Sequence, residues 1–225
     1  MTRIELLDLV AGALVGRAGV GVCRCAVDGV DGAGKTTFAD ELGSVLEARG
    51  VPVIRASVDG FHNVPADRHR LGKSSPEGFF RCSYDYDRLR EALLDPLRPG
   101  GDGRYVRALY DVWAESPVTA AEETAEPGSI LVIDGIFLHR PELRGYWDYS
   151  IFLDVRFDVS MPRCARRTGL VSPDPNAESN RRYVDGQRLY FAECSPWEHA
   201  SVVIDNNDLE APRLVIAGGA GLPRA

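Results

Sequence analysis

Gly29-Val30-Asp31-Gly32-Ala33-Gly34-Lys35-Thr36 satisfies the phosphate-loop pattern G-x-x-x-x-G-K-[ST] at every fixed position. Upstream, Val22 to Asp28 alternates small apolar and other residues like a short buried strand. Downstream, Phe38, Leu42, Val45 and Leu46 recur at helical spacing. Strand, glycine loop and helix therefore follow in the order that lets backbone N–H groups converge on a polyphosphate, with the helix's positive end aimed at the same place. Gly29, Asp31, Gly32, Ala33, Gly34, Lys35, Thr36 and Thr37 form the expected nucleotide-binding set. Lys35 would reach the β- and γ-phosphates, and the Thr36 hydroxyl would sit on Mg²⁺.

Working outward, Ile4, Leu7, Val10 and Leu14 predict an amphipathic helix over residues 3 to 15. Gly50 and Pro52 close the helix after the loop. Val53 to Val58 reads as a second strand that ends in Asp59-Gly60-Phe61-His62. Residues 63–83 are polar and irregular, a long loop with one short helix on the substrate side. Residues 85–94 read as helix, and residues 98–121 as a small β excursion with strands at Arg104 to Tyr110 and Val118 to Ala121. Ser129 to Gly135, Tyr149 to Asp154 and Val202 to Asp205 are continuous apolar runs, as parallel strands covered on both faces would be. Between them Asp158 to Arg167 and Glu178 to Cys194 read as helices, joined by a proline-rich flap, and Gly218 to Ala225 as a loose tail. The expected fold is α/β: one domain over residues 1–225, a three-layer parallel sheet with helices on both faces and a lid over 163–182.

The 225 residues carry a net charge of −7, which argues against a general nucleic-acid surface. No apolar run approaches a membrane span and no leader pattern opens the chain, so a cytoplasmic protein without membrane contact is expected. Five cysteines, an odd number without a C-x-x-C, predict reduced structural thiols. Self-association stays open.

In an open parallel sheet the carboxyl ends of all strands lie on one edge, where ligands bind. Asp28 leads into the phosphate loop, and Asp59 and Asp134 each close a candidate strand, a position that brings these two towards the nucleotide phosphates. Asp134, after four apolar residues, fits the acid that supports Mg²⁺. Asp59 fits the base that takes the proton of an attacking hydroxyl; capping of an Asp-Gly turn is the alternative. Arg163, Arg166 and Arg167 precede the flap, where lid arginines would meet the charge of phosphoryl transfer.

With these motifs in this order, together with Tyr110-Asp111 and Ile133-Asp134-Gly135-Ile136, the chain from about Val22 to Asp208 resembles the uridine kinase branch of the phosphate-loop kinases, which is related to pantothenate kinase and phosphoribulokinase. The resemblance implies Asp59 as the catalytic carboxylate, Lys35, Arg163 and Arg167 as phosphate-contacting catalytic groups, and Asp134 with Thr36 at Mg²⁺. It also implies an acceptor site containing Asp59, Phe61, His62, Tyr110, Asp111 and Arg166. Two features depart from the uridine kinase pattern. No histidine follows Tyr110-Asp111, where Trp113 could stack on a base or be a buried structural residue, and Asp-Gly-Phe-His is closer to the pantothenate kinase wording. The expected activity is ATP- and Mg²⁺-dependent phosphorylation of a small-molecule hydroxyl, with a nucleoside such as uridine or cytidine leading. A pantothenate-like or sugar alcohol, or a nucleotide-driven switch without an acceptor, is the alternative.

Overall fold

The computed structural model describes residues 1–19 and 21–215. The chain enters through α1 (Arg3–Val15), β1 (Cys23–Gly29), α2 (Lys35–Ala48) and β2 (Val53–Ser57). A 3-10 turn over Val58–Phe61 leads to α3 (Pro65–Arg68), α4 (Pro76–Cys82) and α5 (Tyr86–Leu89), the last continuing as a π-turn over Arg90–Leu94. Two miniature ladders follow. β3 (Arg104–Tyr105) pairs with β6 (Glu123–Thr124), and β4 (Tyr110–Asp111) pairs with β5 (Ser116–Pro117). The chain then returns to the main sheet with β7 (Ile130–Gly135) and β8 (Tyr149–Asp154), runs through α6 (Phe157–Thr168), α7 (Arg181–Cys194) and α8 (Pro196–His199), and adds β9 (Val202–Asp205) and β10 (Arg213–Val215).

The main sheet has the order β10-β9-β8-β1-β7-β2, parallel throughout except for the β10 edge. Its central strands are apolar at nearly every position because alternate side chains enter two different cores. Cys25, Val27, Ile130, Val132, Ile151 and Leu153 join the core covered by α1 and α2, whereas Ala26, Leu131 and Ile133 join the one covered by α4, α5 and α7. The five cysteines are free and buried. Burial pushes the Cys23 and Cys194 thiols up to about 11, which keeps both protonated and unreactive at neutral pH.

Several local expectations change. On α1 the buried face is Leu6, Leu7, Val10, Ala11 and Leu14, while Ile4 is 78% exposed because it falls on the flank of that stripe in the first turn. Val118 to Ala121 is not a strand; the excursion closes instead through the two-residue ladders. Residues 63–83 hold two short helices, of which α4 packs on α7 through Phe79 and Tyr183, ring centroids 5.1 Å apart. The flap between α6 and α7 is a folded turn pinned by the fully buried Asn180, whose amide donates to the Ser172 and Asp174 carbonyls at 2.7 Å each. The antiparallel β10 carries no sequence signal beyond a short apolar run. The expected loose tail, Gly218 to Ala225, lies outside the described residues.

Candidate active site

The phosphate loop leaves β1 and enters α2 through Gly34, which caps the helix in the left-handed region at φ 87° without any side-chain cap. The first N–H groups of α2 therefore remain available to an anion. Lys35 Nζ donates to the Val30 carbonyl at 2.9 Å, which folds its ammonium back over the loop. Gly32 has no room for a side chain: at φ 75°, a Cβ there would lie 2.3 Å from the Ser160 carbonyl oxygen and 2.8 Å from Cys164 Sγ. The loop thus seats directly on α6, the helix that carries Arg163, Arg166 and Arg167.

Thr36 Oγ1 donates to Asp134 Oδ2 at 2.7 Å, and Arg55 from β2 donates to the other oxygen, Oδ1, at 3.0 Å. The acid is 2% exposed, so this pairing meets the cost of burying its charge. A Cβ on Gly135 would sit 2.2 Å from Val58 Cγ1. The glycine after the acid lets the 3-10 turn bearing Asp59 lie against the end of β7.

Asp59 is exposed to the cleft and is held by Tyr84, whose hydroxyl donates to Oδ1 at 2.9 Å. Burial raises the Tyr84 phenol well above its ordinary value and the Asp59 charge adds to this, so Tyr84 is a neutral donor. The His62 ring tilts against Tyr84 with centroids 4.5 Å apart, and its Nδ1 lies 2.9 Å from the Asp59 carbonyl. Burial lowers the His62 pKa and keeps the ring neutral at pH 7. A small polar cleft is lined by Asp31, Lys35, Thr36, Asp59, Asp134 and Arg167, among others. Burial also raises the Asp31 carboxyl, against the nearby charge of Lys35.

The expected residues divide. Gly32, Gly34, Thr37, Lys35, Thr36, Asp59, Asp134 and Arg167 share the cleft wall. Arg163 does not: its guanidinium donates to the Asn206 and Asn207 carbonyls at 3.2 and 2.6 Å, in the segment that follows β9. Arg166 is exposed and Ala33 is buried behind the loop. Phe61, His62 and Tyr110 line a second concavity, with Phe61 itself 1% exposed. Asp111 is committed to its turn, its Oδ1 accepting from the Trp113 and Ala114 N–H groups at 2.8 and 3.1 Å. Trp113 is 83% exposed at the tip of that turn, which corrects its reading as a buried structural residue.

Asp28, the acid that leads into the phosphate loop, does not face the cleft. Its register partner is Gly135, whereas Asp134 pairs with Val27, so the two acids project from opposite faces of the sheet. Asp28 is fully buried and accepts from Gly29 N at 2.7 Å, His139 Nδ1 at 2.8 Å and the Tyr190 hydroxyl. The Tyr190 oxygen in turn accepts from His139 N at 2.9 Å. This network ties the start of the phosphate loop to α7. Tyr190→Phe removes a buried donor from the carboxylate and an acceptor from the His139 amide, so it should cost about 1–3 kcal/mol. The expected drop in Tm is several degrees, measured by calorimetry with and without ATP. An unchanged Tm would mean the network holds nothing.

Tyr84, Arg55 and the His139–Tyr190 pair carried no motif signal in the sequence.

A model of the phosphoribulokinase / uridine kinase family matches residues 25–168. Among solved structures, one named as a possible uridine kinase from Bacillus stearothermophilus superposes with a TM-score of 0.69 at 20% identity, covering 88% of this chain and 97% of the other. D-glycerate 3-kinase from Cryptococcus neoformans superposes with a TM-score of 0.62 at 12% identity, covering 93% and 99%. A probable thymidylate kinase from Thermoplasma volcanium is 27% identical over 172 residues, 73% of this chain and 82% of that protein.

Proposed function

Because the chain belongs to the phosphoribulokinase / uridine kinase family and is an ATP-dependent small-molecule kinase, we propose that it transfers the γ-phosphoryl group of ATP to a hydroxyl of a small metabolite, with a nucleoside the leading acceptor. One observation carries this reading: Asp59, aimed by Tyr84, lines the same cleft as Lys35 and the Thr36–Asp134 pair. A carboxylate so placed can accept the proton of an attacking hydroxyl while the phosphates lie on the loop.

Lys35, the α2 N-terminus and Arg167 would bind the triphosphate. Among the described residues no group of three or more His, Cys, Asp or Glu forms a metal cage. The oxygens of Thr36 and Asp134 nevertheless suit Mg²⁺, which takes one or two protein oxygens and completes its shell with substrate phosphates and water. Bound there, Mg²⁺ would neutralise phosphate charge. Arg55 holds Asp134 in the rotamer that faces Thr36. The His62–Tyr84 ring pair beside Asp59 supports a flat acceptor such as a nucleoside.

The test is a screen of nucleosides, sugars and pantothenate with ATP and Mg²⁺, following acceptor-dependent ADP release. Release with uridine or cytidine is expected. Release with a sugar or pantothenate and none with any nucleoside would remove the nucleoside from the proposal and leave the kinase chemistry standing.

Among the described residues no helix is long and apolar enough to cross a membrane.

A further inference from the structure

Asp31 stands on the cleft wall with Asp59, Tyr84, Asp134 and Arg167. Of the three acids there, two are supplied with donors: Asp59 by the Tyr84 hydroxyl, and Asp134 by Thr36 and Arg55. Asp31 takes no hydrogen bond of regular geometry among the described residues, and its Oδ2 is sealed from solvent without a partner. Burial raises its carboxyl, Lys35 opposes this, Asp59 adds to it, and Arg167 and the Gln187 amide oppose it. Its charge in turn reaches Tyr84, the residue that holds Asp59. The Asp31 and Asp59 carboxylates therefore line one volume.

Gln187 is the second unpartnered group. It lies on α7 and is 1% exposed, and neither atom of its amide completes a hydrogen bond although the side chain acts on Asp31. One turn later on the same helix the Tyr190 hydroxyl donates to Asp28, at the entry to the loop. These two positions carry α7 along the phosphate loop, and Gln187 backs the Asp31 carboxyl from its buried side.

A carboxylate opposes the purpose of a cleft that draws in a triphosphate. Phosphate oxygens bring charge of the same sign and no proton to give, so the nucleotide does not satisfy Asp31. The group that does must donate a hydrogen bond. Charge is already matched, since the three acids meet Lys35 and Arg167 on the cleft wall and Arg55 on Asp134. A neutral hydroxyl therefore fits better than an ammonium.

We propose that Asp31 binds a second hydroxyl of the acceptor, near the one whose proton Asp59 takes, and that Gln187 is the positioning residue that fixes the Asp31 carboxyl. This rests on the kinase reading above and narrows the acceptor to a diol or polyol. Two hydroxyls on two carboxylates fix the molecule's orientation, so that only one of them meets the γ-phosphorus.

Matched acceptors test it on the natural chain: uridine against 2′-deoxyuridine and 3′-deoxyuridine, ribose against 2-deoxyribose, and pantothenate against its analogue lacking the secondary hydroxyl, each with ATP and Mg²⁺. In at least one pair the deoxy member should fall about tenfold or more in kcat/KM, because it leaves a polar group of the site unpaired. Asp31→Ala should then cost the hydroxyl member at least about tenfold more than the deoxy member, and Gln187→Met should act in the same direction by about threefold. A merely structural role would lower both members alike. Equal turnover within every pair that reacts, or equal losses on both members in Asp31→Ala, would overturn the proposal. So would a preference for 2′-amino-2′-deoxyuridine over uridine, which would make the bound group an ammonium. No acceptor-dependent ADP release from any member would instead defeat the kinase reading, and the assignment of Asp31 with it.

Discussion

Asp59→Asn is expected to lower kcat for the best acceptor by about 10²–10⁴-fold, the usual contribution of a positioned general base, while ATP binds within about twofold of the natural affinity. The substitution is close to isosteric. The Asn oxygen can still accept the Tyr84 hydroxyl, now 2.9 Å from Asp59 Oδ1, so the side chain keeps its place and loses only its basicity. Nothing in the phosphate loop touches this carboxylate by hydrogen bond, which is why nucleotide affinity should survive. Fluorescent ATP-analogue titration and acceptor-dependent ADP release, measured on the same preparation, separate the two quantities. A kcat within threefold of the natural value would remove Asp59 from the proton transfer.

Gly32→Ala should lower ATP affinity by at least tenfold and lower the Tm by several degrees. Two costs combine. The residue occupies φ 75°, where a Cβ costs roughly 1 kcal/mol. The added methyl would also meet the Ser160 carbonyl oxygen at 2.3 Å, and since that atom is backbone, either the loop or α6 must move. Gly50→Ala is the control, because Gly50 has φ 76° with no atom within 4 Å of its notional Cβ. It should show the conformational cost alone, with ATP affinity intact. Equal losses of ATP affinity in both variants would mean the seating of the loop on α6 does not matter.

Local signals in the sequence served well wherever the structure itself is local. The phosphate loop, the limits of β8 and β9, and the two-faced burial of β7 follow from residues within a few positions of one another. Side-chain orientation at the strand ends was harder to read. Asp28, Asp59 and Asp134 look equivalent as acids closing strands, yet a one-residue offset in register turns Asp28 away from Asp134, and Asp59 lies past its strand in a 3-10 turn. The arginines before the flap show the same limit: Arg163 and Arg167 share a helical face, but the turn between them is enough to send one to the loop after β9 and the other into the cleft. Tyr84 and Tyr190 were invisible because their partners, Asp59 and Asp28, are distant in sequence and no fixed spacing joins them.

The most direct measurement of the central claim follows the γ-phosphorus. With γ-labelled ATP, Mg²⁺ and the acceptor found by screening, the label should appear in a phosphate ester of that acceptor at the rate of ADP release, and Asp59→Asn should suppress both together. Label recovered only as inorganic phosphate, at a rate indifferent to any acceptor, would contradict transfer to a hydroxyl and leave a nucleotide hydrolase in its place.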